Sequence, residues 1–126
     1  MKKLAFICVL TAFLGSAYGM SPINYEVLAD AIYRAEGGRK ASRPYGVMRD
    51  YCGWDTPYKV SQCRKGCIQT IEKRHRLWLA DPEGLDFISY LGRSYAPTKG
   101  ATNDPTGLNK NWVKNVKAIY AELSSQ

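Results

Sequence analysis

The sequence predicts a single α+β domain that is mainly helical and contains one small β hairpin. In several segments apolar residues recur every three or four positions, which is the pattern of helices with one buried face. One segment, from about Ser42 to Val60, instead mixes aromatic residues with prolines and glycines, which is typical of turns and short strands. No internal repeat or linker divides the chain, so we expect one domain.

Residues 1–19 have the pattern of a secretory signal peptide. A positively charged start is followed by a mainly apolar run over Leu4–Leu14 and by small residues up to Gly19, where we expect cleavage; cleavage after Ala17 is the alternative. The apolar run is shorter than the roughly 20 residues needed to span a bilayer, so we expect no stable membrane anchor. The sequence therefore predicts a periplasmic or secreted protein whose mature domain spans residues 20–126.

The first helix and the hairpin follow the signal peptide. Ser21 is a residue type that caps helix N-termini, and Pro22 suits the first helical position. Apolar residues then recur at helical spacing until Gly37-Gly38 interrupts the pattern. The aromatic segment after this point is where we predict the hairpin.

Three further helices are predicted from their apolar stripes. Their expected bounds are about Gln62 to Leu79, with a basic outer face, Asp81-Pro82 to about Ser94, and about Asn109 to Leu123. Between the last two helices, residues 96–107 contain two prolines, two glycines and no apolar periodicity. We therefore expect a loop there.

The mature domain is basic. The whole chain has 18 Lys and Arg against 11 Asp and Glu, a net charge of +7, and loss of Lys2 and Lys3 with the signal peptide leaves a net charge of +5. Outside the cytoplasm a basic surface seldom meets nucleic acid, so anionic wall polymers or acidic lipid headgroups are the expected partners, with a plain solvated surface as the alternative. We expect no nucleic-acid partner, and the chain is compatible with a monomer.

Three cysteines remain after Cys8 is removed with the signal peptide. An oxidising compartment favours one disulfide and one free thiol among Cys52, Cys63 and Cys67. Cys63 and Cys67 lie about one helical turn apart, so either could be presented to Cys52, and we expect Cys52–Cys67. A zinc site that includes His75 is the alternative, but the paired Cys-x2-Cys spacing of structural zinc sites is missing and no metal is expected.

Glu36 is the carboxyl group best suited to acid catalysis. It ends the first helix at the edge of the buried stripe, and Gly37-Gly38 leaves space beside it. Partial burial and the negative end of the helix dipole disfavour its charged form, which predicts a raised pKa. A carboxyl group that keeps its proton near neutral pH can protonate a glycosidic oxygen. The alternative is a solvated glutamate paired with Arg34, Arg39 or Lys40.

Two motifs indicate a family. The run AIYRAEGG, followed by PYGVM, resembles the start of the lysozyme-like superfamily, above all the lytic transglycosylases and small lysozymes. In those proteins a helix ends at the catalytic glutamate, and a short β segment lines the same cleft. The resemblance implies a lysozyme-like helical domain with the hairpin beside the cleft and Glu36 as the catalytic acid. The implied wall residues are Tyr45, Gly46, Val47 and Met48.

The C-terminal third extends the resemblance. The stretch from FISYLGRSYAPT to NDPTGLNKNWVKNVKAIY is similar to the closing part of small cell-wall glycosidases, which implies that Tyr95 and Asn111 face the sugar. Gln69 points either toward this cleft or toward solvent. Three features depart from the family pattern: the spacer from Glu36 to Gly46 is short, Gly37 replaces the usual serine, and Arg49 replaces a common glutamine. Tyr51 and Trp54 are further candidates for a sugar-stacking groove.

A second carboxylate would decide the mechanism. Retaining hydrolases hold two carboxyl groups about 5–5.5 Å apart, and inverting ones roughly 6.5–9.5 Å apart. Asp50 and Asp55 are the candidates, although a capping role explains both. If neither faces Glu36, the resemblance implies a lytic transglycosylase, in which one glutamate is first acid and then base while the sugar's own 6-hydroxyl attacks. This chemistry needs no cofactor.

We therefore expect an exported enzyme, a lytic transglycosylase or lysozyme-like muramidase, that acts on peptidoglycan glycan strands. It would cut the β-1,4 bond between N-acetylmuramic acid and N-acetylglucosamine. The alternative is a non-catalytic module of the same fold that binds wall glycan or an envelope protein, which the basic surface and the departures from the family pattern favour. A membrane-active toxin fits the charge but not the well-patterned core.

Overall fold

The computed structural model of the protein describes residues 22–95 and 109–126. In them the chain forms four α-helices, which are α1 Tyr25–Ala35, α2 Pro57–Ala80, α3 Phe87–Tyr95 and α4 Asn109–Ser124. Two short 3-10 turns, Gly38–Lys40 and Pro44–Gly46, connect α1 to α2. The mainly helical class is confirmed. The predicted signal peptide and the predicted loop over residues 96–107 lie outside the described residues.

The predicted hairpin over residues 42–60 is wrong, since the described part of the chain contains no strand. Tyr45 and Gly46 have φ values of 59° and 66°, and two successive left-handed residues cannot continue an extended strand. The turns that follow are held by the guanidinium of Arg43, which donates hydrogen bonds of 3.0 Å to the carbonyls of Arg49 and Cys52. The prolines and glycines that suggested a hairpin therefore shape an irregular loop.

Capping residues shift two of the predicted helix starts. Asn24, rather than Ser21, caps α1, because its side-chain oxygen accepts 3.1 Å hydrogen bonds from the N–H groups of Glu26 and Val27. Ser21 itself lies outside the described residues. At α2 the hydroxyl of Thr56 accepts a 3.1 Å bond from Lys59 N–H, and Pro57 takes the first helical position. As a result α2 starts earlier than the predicted Gln62.

The third helix starts later than predicted. Glu83 and Gly84 have φ values of 53° and 73°, so the segment after Asp81-Pro82 cannot be helical. Asp86 accepts a 3.0 Å hydrogen bond from Ser89 N–H, which is an N-cap contact for a helix that begins at Phe87. The predicted bounds of the fourth helix agree with α4 to within a residue.

The core lies around α1, which packs against α2, α4 and the Pro44–Gly46 turn. Fully buried side chains come from all four helices and include Leu28, Ile32, Ile71, Leu91 and Val116. Burying each of these contributes about 1.5–3 kcal/mol. This packing fixes the C-terminal end of α1 against both the turn and α4. No helix among the described residues is long and apolar enough to cross a membrane.

The predicted Cys52–Cys67 disulfide is wrong, because Cys52 is bonded to Cys63. The two Cα atoms are 5.0 Å apart, a normal separation for a disulfide. Because α2 begins only a few residues after Cys52, the loop meets the helix near its start, where Cys63 lies. Cys67 lies about 6 Å further along the helix axis than Cys63. Cys67 is a buried free thiol whose Sγ accepts a 3.2 Å hydrogen bond from the hydroxyl of Tyr95.

Candidate active site

Three segments meet at the carboxyl group of Glu36. Glu36 directly follows α1, and its N–H donates a 2.9 Å hydrogen bond to the carbonyl of Ile32. Its side chain is half-buried, and Oε1 accepts a 2.9 Å hydrogen bond from the indole Nε1 of Trp112 on α4. On another side, Gly46 of the 3-10 turn lies against the same carboxyl group. The site is therefore built from the end of the first helix, the turn and the last helix.

The conformation of the turn allows this close approach. A Cβ atom at Gly46 would lie 3.1 Å from both Cδ and Oε1 of Glu36, and the φ value of 66° is one that side chains rarely adopt. Tyr45 also has a left-handed φ value, which costs free energy in an aromatic residue. Burial of its ring, 4.9 Å from the ring of Tyr33, offsets that cost. Both residues thus hold the turn backbone against the carboxyl group.

The pKa of Glu36 is raised above its usual value. Burial of the carboxyl group is the main cause, and the hydrogen bond from Trp112 partly offsets it. Among the described residues no Lys or Arg lies within ion-pair distance of Glu36, so Arg34, Arg39 and Lys40 do not neutralise it. Glu36 is therefore not in a surface ion pair, and a raised pKa is a property that a general acid requires.

Trp112 is held in place by neutral side chains. Its indole stacks on the ring of Tyr95 with a centroid distance of 5.5 Å and an interplanar angle of 16°. The hydroxyl of Tyr95 points to Cys67, so it is engaged inside the protein rather than available to a sugar. Burial raises the pKa of the Cys67 thiol to about 11 and also raises the pKa of Tyr95, so both groups are uncharged near neutral pH.

The other residues implied by the resemblance lie in different surroundings. Val47 is half-buried and packs against the core, and Met48 is 74% exposed. Gln69 is exposed on α2, where with Tyr51 it lines a polar depression of about 260 Å³. Asn111 is exposed on α4, next to Trp112 in the chain. The structure thus brings Gly46 directly to Glu36, and none of these four side chains forms a hydrogen bond with the Glu36 carboxyl group, whose described partner is Trp112.

Neither candidate for a second carboxylate interacts with Glu36. Asp55 forms a 2.7 Å ion pair with Lys59, and this hydrogen bond lowers the pKa of Asp55. Asp50 is exposed in a turn closed by a 2.9 Å hydrogen bond from Cys52 N–H to the carbonyl of Arg49. In the described ranges, no three His, Cys, Asp or Glu side chains are grouped as metal ligands would be.

Sequence reasoning missed the role of Trp112. Its position on the apolar stripe of α4 predicts burial, and the side chain is 5% exposed. A buried indole N–H nevertheless needs an acceptor, and this rule could have pointed to a carboxylate partner. His75, considered above as a zinc ligand, has its Nδ1 2.7 Å from the hydroxyl of Tyr25 and stacks on Trp78.

Comparisons with protein-family models, with curated proteins and with solved structures each found no match for this chain. The lysozyme-like family therefore stays a prediction from short motifs. The geometry around Glu36 adds the hydrogen bond from Trp112, a residue that lies outside the AIYRAEGG and PYGVM motifs.

Proposed function

We propose that the protein is an exported peptidoglycan-cleaving glycosidase, a lytic transglycosylase of lysozyme-like fold in which Glu36 is the catalytic acid. The observation that carries this proposal is the half-buried carboxyl group of Glu36, whose pKa is raised and whose Oε1 is fixed by Trp112. A glycosidase acid must keep its proton near neutral pH and must be oriented toward the glycosidic oxygen. The substrate would be the β-1,4 bond between N-acetylmuramic acid and N-acetylglucosamine.

The hydrogen bond from Trp112 assigns different tasks to the two carboxyl oxygens. Because Oε1 accepts the indole N–H, the proton of the neutral acid is carried by Oε2. Transfer of this proton to the glycosidic oxygen breaks the bond from that oxygen to C1 of the muramic acid residue and releases the 4-hydroxyl of N-acetylglucosamine. The charged carboxylate that results is stabilised by Trp112, since hydrogen bonds to ionised acceptors are stronger than those to neutral ones.

The same carboxylate then acts as the base. No second carboxylate among the described residues acts on Glu36, which favours a mechanism with one carboxyl group over the paired mechanisms of hydrolases. The 6-hydroxyl of the muramic acid residue attacks C1, and its proton passes to Glu36. The product has a 1,6-anhydro end, and Glu36 regains its proton.

Replacing Glu36 by Gln tests the proposal. Gln keeps an oxygen that can accept from Trp112 but has no proton to transfer, so we expect at least a 10²-fold loss of muropeptide release from purified sacculi, consistent with the typical contribution of acid catalysis. Glu72→Gln is the matched control, since Glu72 is exposed on α2 and forms an ion pair there with Arg76. A Glu36→Gln protein that digests sacculi as fast as the control would refute the assignment.

Product chemistry tests the reaction type. Digestion in ¹⁸O-labelled water would place no label on the muramic acid ends of a transglycosylase, and mass analysis would find those ends lighter by one water than reducing ends. Labelled reducing ends would instead mean that water attacks C1. In that case Glu36 remains the acid, and the protein is a muramidase rather than a transglycosylase.

A non-catalytic module that binds wall glycan or an envelope protein is the second candidate. Two observations favour it: the bond to Trp112 also gives Glu36 a structural role, and the outer face of α2 exposes basic residues such as Lys65, Lys73 and Arg76. Sacculi would then retain the wild-type protein without any release of muropeptides. Equal retention of wild type and Glu36→Gln, with no turnover by either, would identify this function.

A further inference from the structure

A second cleft lies beside the turn that contacts Glu36. It has a volume of about 470 Å³, and Tyr33, Tyr45 and Trp54 form its aromatic lining. Tyr45 precedes Gly46 in the chain, so consecutive residues of one turn border this cleft and the candidate catalytic carboxyl group. Glu36 itself does not line the cleft. The cleft is therefore a separate site next to the acid.

The aromatic wall is held in a fixed arrangement. The ring centroid of Tyr33 is 4.9 Å from that of Tyr45 and 6.3 Å from that of Trp54. The indole Nε1 of Trp54 donates a 2.9 Å hydrogen bond to the carbonyl of Ala41, which fixes its orientation. A ligand that binds here does not have to order these side chains first, which lowers the free-energy cost of binding.

Two guanidinium groups give the cleft a positive charge. Arg39 is exposed and forms no ion pair with any residue that the structure describes. Arg64 has its Nε 3.5 Å from Oδ1 of Asp30, a contact made by one nitrogen of a group with five N–H donors. Arg39 and Arg64 together carry two positive charges and Asp30 carries one negative charge, so this part of the cleft has a net positive charge. Planar guanidinium groups beside aromatic rings suit a ligand that has a carboxylate and an apolar or amide body.

We propose that this cleft binds the carboxylate-bearing peptide stems of the glycan strand, with Arg39 and Arg64 holding a carboxylate and the three aromatic rings packing on the peptide. The inference rests on the proposed function, because that function brings a peptide-bearing glycan to Glu36. The cleft and the carboxyl group share one turn, because Tyr45 lines the cleft and the next residue, Gly46, lies against Glu36. A stem attached to a sugar at the carboxyl group would therefore begin beside the turn that borders the cleft.

Binding of glycan-free peptide to the Glu36→Gln protein tests this site. The probes are stem peptides released from purified sacculi by an amidase, and the same peptides with their carboxylates converted to amides. We expect the free stems to bind, and we expect amidation to weaken binding by at least about tenfold, since hydrogen bonds to charged groups are stronger than those to neutral groups. Isothermal titration calorimetry measures both affinities without any cleavage step.

Charge-removing variants locate the site. In the Glu36→Gln background, Arg39→Gln with Arg64→Gln should weaken stem binding by at least about tenfold. The control, Arg93→Gln with Lys114→Gln, removes the same charge from two exposed residues that do not line the cleft, one of them paired with Glu83, and should leave the affinity unchanged. Arg39→Gln alone changes one exposed side chain, so it tests the cleft even if loss of the Arg64–Asp30 pair disturbs folding.

Three outcomes would overturn the inference: equal binding of amidated stems, equal weakening by both double variants, or tighter binding of a phosphate-containing wall polymer than of the stems. None of them depends on catalysis. An active Glu36→Gln enzyme would refute the proposed function while leaving the peptide measurement intact, so the two failures are distinguishable.

Discussion

Glu36 is subject to two opposing effects. Burial favours its neutral form and raises its pKa, whereas the indole N–H of Trp112 favours the charged form. Both are useful to a group that must give up a proton and later take one back. In the proposed mechanism, burial would keep the proton on Glu36 before the reaction, and the hydrogen bond would stabilise the carboxylate formed during it.

Removing the indole N–H should shift the pH dependence of cleavage. Because the hydrogen bond from Trp112 lowers the pKa of Glu36, Trp112→Phe is expected to raise that pKa further and to move the alkaline limb of the activity profile to higher pH. Stability should fall by about 1–3 kcal/mol, since a hydrogen bond and part of a buried ring are lost. The measurements are sacculus digestion across pH and unfolding in urea.

Trp78→Phe is the matched control for this substitution. Its indole Nε1 also donates a hydrogen bond, of 2.8 Å, but the acceptor is the carbonyl of Leu85, away from Glu36. Trp78→Phe should therefore lose some stability and keep the wild-type pH profile. An unchanged alkaline limb in Trp112→Phe would show that the hydrogen bond does not set the pKa of the acid.

At the scale of elements, apolar periodicity predicts the helices and capping sets where they begin. The stripes of α1, α2 and α4 are visible in the sequence because each helix buries one face. Their starts depend on contacts of single side chains, such as Asn24 with two N–H groups, which several nearby residues could make equally well. The hairpin prediction failed because turn-forming residues and aromatic residues occur together in hairpins and in irregular loops alike.

The disulfide between the loop and α2 offers a test at this scale. Loss of the Cys52–Cys63 bond, which closes a loop with a sequence separation of 11, should lower the free energy of unfolding by about 2–3 kcal/mol. Wild type and Cys67→Ser are expected to lose this stability when a reductant is added, and Cys63→Ser should not respond. The urea midpoint with and without reductant measures the effect. A reductant response in Cys63→Ser but not in Cys67→Ser would indicate a Cys52–Cys67 bond instead.

For the whole molecule, the sequence predicts the parts of the site that are close together in the chain. Glu36 and Gly46 are brought together by a short loop, and the motif that contains them anticipates their contact. Trp112 is separated from Glu36 by 76 residues, and no local pattern links them. Their contact follows from the packing of α4 on α1, which depends on the shape of the entire core.

The stability of the whole protein should reflect the environment of Glu36. A folded-state pKa above the unfolded value of about 4.3 means that the protonated group stabilises the fold at low pH, and that this contribution is lost as the pH rises through the folded-state pKa. The glutamine side chain of the Glu36→Gln variant is neutral at every pH. The free energy of unfolding of Glu36→Gln should therefore increase relative to that of wild type as the pH is raised from 4 to 7.

Urea unfolding at these two pH values measures the difference, with Glu72→Gln as the control. Glu72 is exposed, so its replacement should change stability by a similar amount at both pH values. If the stability of Glu36→Gln relative to wild type were the same at pH 4 and pH 7, the carboxyl group of Glu36 would have an ordinary pKa in the folded wild-type protein.

The contact between Trp112 and Glu36 also determines when, during synthesis, the carboxyl group of Glu36 can accept its hydrogen bond from the indole. A chain that emerges from its N-terminus presents α1 first and α4 last, so the carboxyl group is complete early but its indole partner arrives only with the final helix. A contact between such distant segments also has a larger loop-closure entropy cost than a local contact. A nascent or C-terminally truncated chain that lacks α4 has a glutamate without the oriented proton. In the proposed mechanism such a chain could not hold the acid in place, so cleavage would require the last helix to be packed.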